Sequence, residues 1–127
     1  MLVLDDEPSV TAAVARELRP EQYELLLAHD PDDAFELLAT HPVGVVLGEQ
    51  CMPLLPGAEF LGRVRRLHPQ TVRLMMSGYQ AFSLRTVAIN QGAVQRFLPK
   101  PWEHTELCAV IAAAFDLHER CAPGCYE

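Results

Sequence analysis

Five polar residues with complementary chemistry follow short apolar runs of the chain. They are Asp5, Asp6, Glu49, Ser77 and Lys100. The runs before them are too short for helices and read as buried strands. In an open α/β sheet, ligands bind just outside the carboxyl ends of the central strands. The five side chains are therefore predicted to share one site at that edge of a sheet.

The predicted site has the composition of a phosphoryl-binding site. Its three carboxylates would repel one another unless a cation compensates them, and Mg²⁺ suits such oxygen donors, completed by waters and a loop carbonyl. Ser77 could hydrogen-bond an oxyanion, and Lys100 could pair with one as a point charge. A metal, an ammonium and a hydroxyl around one carboxylate, that of Glu49, indicate a site that holds a phosphoryl group.

Five strands alternating with five helices are predicted to position these residues. The strands are expected at 1–4, 23–28, 43–47, 72–76 and 95–98, the last at a sheet edge because Pro99 lacks a ladder donor. Helices are expected from Pro8, from Pro31, from Ala58, over 81–91 and from Pro101. This alternation predicts a parallel sheet with helices on both faces. In a strand order of 2-1-3-4-5, the first and third strands are neighbours and their carboxylates converge.

Composition excludes several classes of function. The 127 residues make one domain, and the net charge of −7 disfavours nucleic-acid binding by this surface. No apolar run reaches the ~20 residues of a membrane span, and no signal peptide is visible, so a reducing cytoplasm is expected. The four cysteines make no disulfide framework. Cys121 and Cys125 form a CxxxC tail that could bind metal but lacks a second pair of ligands.

The chain resembles the receiver domain of bacterial two-component response regulators over about residues 1 to 118. The matching residues are Asp5-Asp6, Met52-Pro53 with Gly57, Ser77-Gly78, and Phe97 with Lys100-Pro101. The segment INQGAVQRFLPKPW is most similar to receivers attached to cyclic-di-nucleotide phosphodiesterases or enhancer-binding activators. The resemblance implies a flavodoxin-like (βα)5 three-layer sandwich with sheet order 2-1-3-4-5. A receiver domain is expected at 1–119, followed by a tail or linker start at 120–127.

The resemblance also assigns roles to the site residues. The phospho-acceptor position is Glu49, where the family has aspartate. The Mg²⁺ ligands would be Asp5, Asp6, Glu49 and the backbone carbonyl of Cys51. Ser77 would be the switch hydroxyl, Phe97 the switch aromatic and Lys100 the phosphoryl contact, with a cis Lys100–Pro101 bond. Leu54, Leu55 and Pro56 depart from the usual loop pattern.

Glu49 is expected to impair phosphotransfer and weaken or abolish Mg²⁺ binding, because its carboxylate is one methylene longer than that of aspartate. It either partly mimics the phosphorylated state through Lys100 or Ser77, or retires the site. The chain is thus predicted to be a non-enzymatic signalling module acting through its fourth helix, fifth strand and fifth helix. Its expected partners are a sensor histidine kinase, an output domain or a second copy. The alternatives are a conventional phosphoryl-accepting receiver and a small Mg²⁺-dependent phosphohydrolase.

Overall fold

A computed structural model describes residues 1–77 and 94–120, apart from the side chain of Ser77. Five parallel strands form one sheet in the order β2-β1-β3-β4-β5. Their bounds are β1 Leu2–Leu4, β2 Leu26–Ala28, β3 Val45–Glu49, β4 Val72–Ser77 and β5 Arg96–Pro99. The predicted strand order is confirmed, as is the edge position of the strand that carries Pro99.

Four helices are described: α1 Pro8–Leu18, α2 Pro31–Thr40, α3 Gly57–Leu67 and a C-terminal helix His104–Arg120. A short 3₁₀ turn, Arg19–Glu21, follows α1. The predicted helix over 81–91 lies outside the described residues, and so does the tail from Cys121. None of the described helices combines the length and apolarity needed to cross a lipid bilayer.

The helices cover both faces of the sheet because side chains alternate along each strand. On one face, Val3 and Leu47 pack with α1 and the C-terminal helix. On the other face, Leu4 and Val46 pack with α2 and α3, where Phe60 is fully buried. All residues of β1 and β3 are buried between the two cores, so the carboxyl ends of these strands are packed from both faces.

Most predicted boundaries differ from the structure by one or two residues, and three of the differences matter here. The third strand does not stop at Gly48 but includes Glu49, which pairs in register with Met76 of the longer β4. The second strand is only Leu26–Ala28, because β1 offers three residues to pair with. The last helix begins at His104 rather than at Pro101, and the Trp102 indole, which precedes it, donates a 2.8 Å hydrogen bond to Glu17 of α1.

Asp30→Ala is expected to lower the free energy of unfolding by about 1 kcal/mol. The Asp30 carboxylate accepts a 2.8 Å hydrogen bond from the backbone N–H of Asp33 and so caps α2. Asp32→Ala removes the same charge from the first turn without removing a cap, and it should cost less. Urea denaturation of both variants makes the comparison, and equal losses would contradict the capping role.

Candidate functional site

The carboxyl edge of the sheet brings Asp5, Glu49 and Lys100 together. Asp5 follows β1, Glu49 ends β3 and Lys100 follows β5. Leu4 lies in register with Gly48, so Asp5 and Glu49 leave adjacent strands side by side. Lys100 reaches them from the edge strand, across β4. The predicted convergence of carboxylates at the first and third strands is therefore present for these two.

Asp5 is almost completely buried, with 1% of its surface exposed. Its Oδ1 accepts a 2.8 Å hydrogen bond from the backbone N–H of Glu7. Its Oδ2 accepts a 2.9 Å hydrogen bond from Nζ of Lys100. Both oxygens of this carboxylate are thus satisfied by donors of the protein itself.

Glu49 is also buried, with 6% of its surface exposed. Its Oε1 accepts a 3.1 Å hydrogen bond from the backbone N–H of Cys51, and its Oε2 contacts Nζ of Lys100 as an ion pair. Burial raises the pKa of this carboxyl above its usual value, and the attraction of Lys100 and the Cys51 amide offset that rise only in part. The Glu49 side chain, one methylene longer than that of aspartate, thus reaches from the end of β3 to the ammonium of Lys100.

Lys100 is the cation that compensates the two carboxylates. Its side chain is 26% exposed, against 1% for Asp5 and 8% for Glu49. Burial alone would lower the pKa of this ammonium, but hydrogen bonds and charge from Glu49 and Asp5 outweigh burial and raise it. The predicted cis bond between Lys100 and Pro101 is present.

The other predicted site residues are placed less directly. Asp6 is exposed and borders a small hollow beside His29 and Met52, with no ion pair to another described residue. The Cys51 thiol is exposed. Phe97 is half-buried and packs against the core under α2 and α3. The side chain of Ser77 lies outside the described part of the structure, so its switch role stays a prediction.

Magnesium does not fit this arrangement of side chains. Three of the four oxygens of Asp5 and Glu49 accept hydrogen bonds, and the fourth, Glu49 Oε2, contacts the Lys100 ammonium as an ion pair, so this ammonium already compensates both carboxylates. Over residues 1–77 and 94–120, no three His, Cys, Asp or Glu side chains are grouped so that they could hold a metal. A lysine ammonium thus supplies the compensating charge for which a divalent cation was predicted.

Two groups at the site were missed by sequence reasoning. The hydrogen bond from the Glu7 N–H to the Asp5 carboxylate was not expected, although an aspartate in a turn often accepts a hydrogen bond from the backbone N–H two residues later. Gln50 is 4% exposed and ties the loop after β3 in place. Its N–H donates to the Met76 carbonyl at 3.0 Å, and its carbonyl accepts from the Gly57 N–H at 2.9 Å. Gln50 was missed because the third strand was predicted to end before Glu49. The strand includes Glu49, so Gln50 is the first residue of the loop that follows it.

Comparisons with known proteins show what the chain is similar to. The hydrogenase transcriptional regulatory protein HoxA of Bradyrhizobium diazoefficiens is 35% identical over 118 residues, which are 93% of this chain and 24% of that protein. The chain therefore spans about a quarter of the length of the curated relatives it matches first.

Solved structures of receiver domains share the fold of this chain. The signal receiver domain of an HD domain-containing protein from Pseudomonas fluorescens Pf-5 superposes with a TM-score of 0.88 and 29% identity, covering 94% of this chain and 95% of that chain. The receiver domain of NtrX from Brucella abortus gives 0.85 and 27%, covering 91% and 97%. Residues 1–112 match the family described as response regulator receiver domain. Sheet order, carboxyl-edge site and family match together show that the chain belongs to the response regulator receiver domain family.

Proposed function

We propose that this chain is an atypical receiver, a signalling module whose phosphoryl-accepting position is filled by Glu49 and whose phosphorylation is impaired. The contact between Glu49 Oε2 and Lys100 Nζ carries the proposal. Through this contact, Glu49 binds the lysine that the family resemblance assigns to the phosphoryl group. The contact also uses Oε2, whereas Oε1 of Glu49 accepts the hydrogen bond from the Cys51 N–H. Neither oxygen is then free for in-line attack on a phosphoryl donor.

Glu49 biases the receiver toward its phosphorylated shape only in part. A phosphoryl group brings about −1.5 to −2 charges and three acceptor oxygens, whereas Glu49 brings one charge and two oxygens. Full inversion of a two-state switch requires about 5.5 kcal/mol of differential stabilisation. One ion pair supplies roughly 1 to 4 kcal/mol of attraction before desolvation, for effective dielectric constants between those of water and of a protein boundary. Glu49 is therefore a partial mimic that shifts the population without locking it.

Mg²⁺ binding is weak or lost in this proposal, because Lys100 already neutralises Asp5 and Glu49. The predicted ligand set of Asp5, Asp6, Glu49 and the Cys51 carbonyl would require the ammonium to withdraw. Such a withdrawal would leave Glu49 with its longer side chain in the space of the metal. The site thus keeps the residue types of a metal-dependent receiver while a lysine replaces the cation.

The module acts through protein contacts and performs no catalysis of its own. The proposed face consists of β5, the C-terminal helix and the helix predicted over 81–91, which lies outside the described residues. Its partners are an output domain, a second copy of the chain or a cytoplasmic signalling protein such as a sensor histidine kinase. HoxA is named as a transcriptional regulatory protein, and on that likeness we propose that the signal reaches a transcriptional output outside these 127 residues.

Beryllofluoride, a phosphoryl analogue, added with Mg²⁺ is expected to leave the NMR spectrum of the chain unchanged at Cys51, Phe97 and Lys100. Acetyl phosphate should likewise leave its mass unchanged. Glu49→Asp shortens the side chain, releases Lys100 from its contact with residue 49 and should gain both responses. Glu59→Asp, the same change at an exposed carboxylate of α3, is the matched control and should gain neither.

A saturable response of the unaltered chain to the analogue would overturn the proposal. That result would leave a conventional receiver that accepts phosphate on glutamate. A response that appears in Glu49→Asp alone supports impairment by the extra methylene. If Glu49→Asp remains folded and silent, then the length of this side chain is not the cause and the proposed role of Glu49 fails.

A further inference from the structure

An open groove of about 400 Å³ lies between the outer sides of α2 and α3. We call it the α2–α3 groove, and it is lined by Phe35, Ala39, Arg63, Leu67 and His68. Leu67 is 65% exposed at the end of α3, although apolar side chains of this size are mostly buried in the described parts of the chain. The Phe35 ring packs against the buried Phe60 ring with centroids 5.0 Å apart. The groove therefore presents an apolar surface that rests on the core.

The two helices beside the groove carry opposite charges. Three acids and no lysine or arginine occur in α2, namely Asp32, Asp33 and Glu36. Three arginines and one glutamate occur in α3. Within residues 1–77 and 94–120, the three α2 acids and Arg66 of α3 make no ion pair. Complementary charges thus flank the groove without neutralising one another.

Helical spacing places these charges along the two edges of the groove. Residues three or four apart lie on the same side of a helix. Asp32 and Glu36 each precede a groove residue of α2 by three positions and are exposed. On α3, the exposed Arg66 follows Arg63 by three positions and adjoins Leu67. The surface is therefore an apolar strip with an acidic edge on α2 and a basic edge on α3.

A surface with both signs of charge fits a second copy of itself. In a two-fold symmetric interface, residue i of one copy meets residue j of the other, and j meets i. A two-fold axis close to Leu67 would set α3 of each copy against α2 of the other. Arg66 would then face Glu36 in two equivalent contacts. A partner of a single sign would be repelled by one of the two edges, so the charge pattern favours the second copy over such a partner.

We propose that the α2–α3 groove is a self-association surface, in which the groove of one copy covers the groove of another. The helices have ten and eleven residues and are thus about 15–17 Å long. Such a patch is smaller than the roughly 800 Å² per partner of a stable complex, so the dimer is weak and depends on concentration. The surface includes neither β5 nor the C-terminal helix, so one chain can use it together with the proposed signalling face. Any other contact that holds two copies together would strengthen it.

Sedimentation equilibrium of the 127-residue chain at up to about 1 mM should show a reversible equilibrium between monomer and dimer. Arg66→Glu and Glu36→Arg should each weaken the dimer at least about tenfold, because each variant sets like charges against one another twice. An equimolar mixture of the two variants should recover the dimer, since both contacts across the mixed pair then join opposite charges. A chain that remains monomeric, or a mixture that does not recover, would overturn the proposal.

Leu67→Ser tests the apolar part of the groove and should weaken the dimer roughly fivefold or more. Leu54→Ser is the matched control, because Leu54 is an equally exposed leucine in the loop before α3, at 76%, and should leave the dimer unchanged. Circular dichroism verifies that each variant is folded. A dimer that persists in Leu67→Ser and in both charge variants would place self-association on another surface and refute this one. None of these variants touches Glu49 or Lys100, so the result is independent of the proposed function.

Discussion

Lys100→Met is expected to lower the free energy of unfolding by about 3–5 kcal/mol, because it leaves two buried carboxylates without their shared cation. Asp5 and Glu49 are 1% and 6% exposed, so water cannot replace the ammonium. Methionine keeps the apolar length of the side chain, which confines the change to the charge. Urea denaturation at neutral pH measures the loss.

Arg63→Met is the matched control for Lys100→Met. Arg63 pairs with Glu59 at 3.3 Å, but both side chains are exposed, at 44% and 57%. Exposed pairs contribute little, so the loss should stay within about 0.5 kcal/mol. Equal losses in the two variants would show that Lys100 is no more than a surface charge.

Adding Glu49→Gln to Lys100→Met should recover part of the loss. The amide removes one of the two unpaired charges, while Asp5 keeps its hydrogen bond from the Glu7 N–H. A double variant that is as unstable as Lys100→Met, or less stable, would contradict a direct contact between Lys100 and Glu49. Together with the single variant Glu49→Gln, these variants complete a double-mutant cycle. Its interaction free energy measures the contact between Lys100 and Glu49 on which the proposed function rests.

The pH dependence of the same variants follows from the direction of the pKa changes. Lys100 has a raised pKa, so its contribution to stability is complete below its ordinary value of 10.5 and is lost as pH rises through the higher folded value. Glu49 also has a raised pKa, so stability is lost as pH rises above its ordinary value of 4.5 and the buried carboxyl ionises. Without Lys100 that ionisation costs more, so Lys100→Met should lose more stability at about pH 8 than at about pH 5.

The sheet could be predicted from local patterns, because its strands are short apolar runs bounded by turn residues. Strand lengths could not, since they depend on the partner strand: β3 continues through Glu49, which pairs with Met76 of β4. Likewise, Pro101 is a good first helical residue, but a contact between Trp102 and Glu17, distant in sequence, accompanies the later helix start. Local preference sets which elements form, and tertiary pairing sets where they end.

The candidate site shows the same division. Strand ends predicted that Asp5, Glu49 and Lys100 would be neighbours, since position in a parallel sheet determines it. The pairing of Lys100 with both carboxylates was not predictable, because it depends on distances of a few ångströms across the four strands from β5 to β1. The exposed position of Asp6 follows from alternation at the end of β1, where Asp5 points inward. Residue type thus located the site, and packing decided which ionic contacts form there.

Gly57→Ala is expected to destabilise the chain by about 3 kcal/mol, because α3 begins against the backbone that carries Glu49. A Cβ at Gly57 would overlap the Glu49 carbonyl oxygen and lie 2.8 Å from Cα of Gln50. Since both obstacles are main chain, they cannot rotate away. The loop must then move, breaking the 2.9 Å hydrogen bond from the Gly57 N–H to the Gln50 carbonyl and shifting the Cys51 amide that holds Glu49.

Gly62→Ala, five residues further along α3, separates this clash from a general effect of alanine. Apart from the adjoining residues and backbone of α3 itself, a Cβ at that position would have no atom of residues 1–77 or 94–120 within 4 Å, so the variant should gain roughly 0.5–1 kcal/mol from helix propensity. Thermal and urea unfolding of the pair should therefore change in opposite directions. NMR shifts at Cys51 and Lys100 should move in Gly57→Ala alone. If both variants were equally stable and left those shifts in place, the close approach of α3 to Glu49 would have no part in building the site.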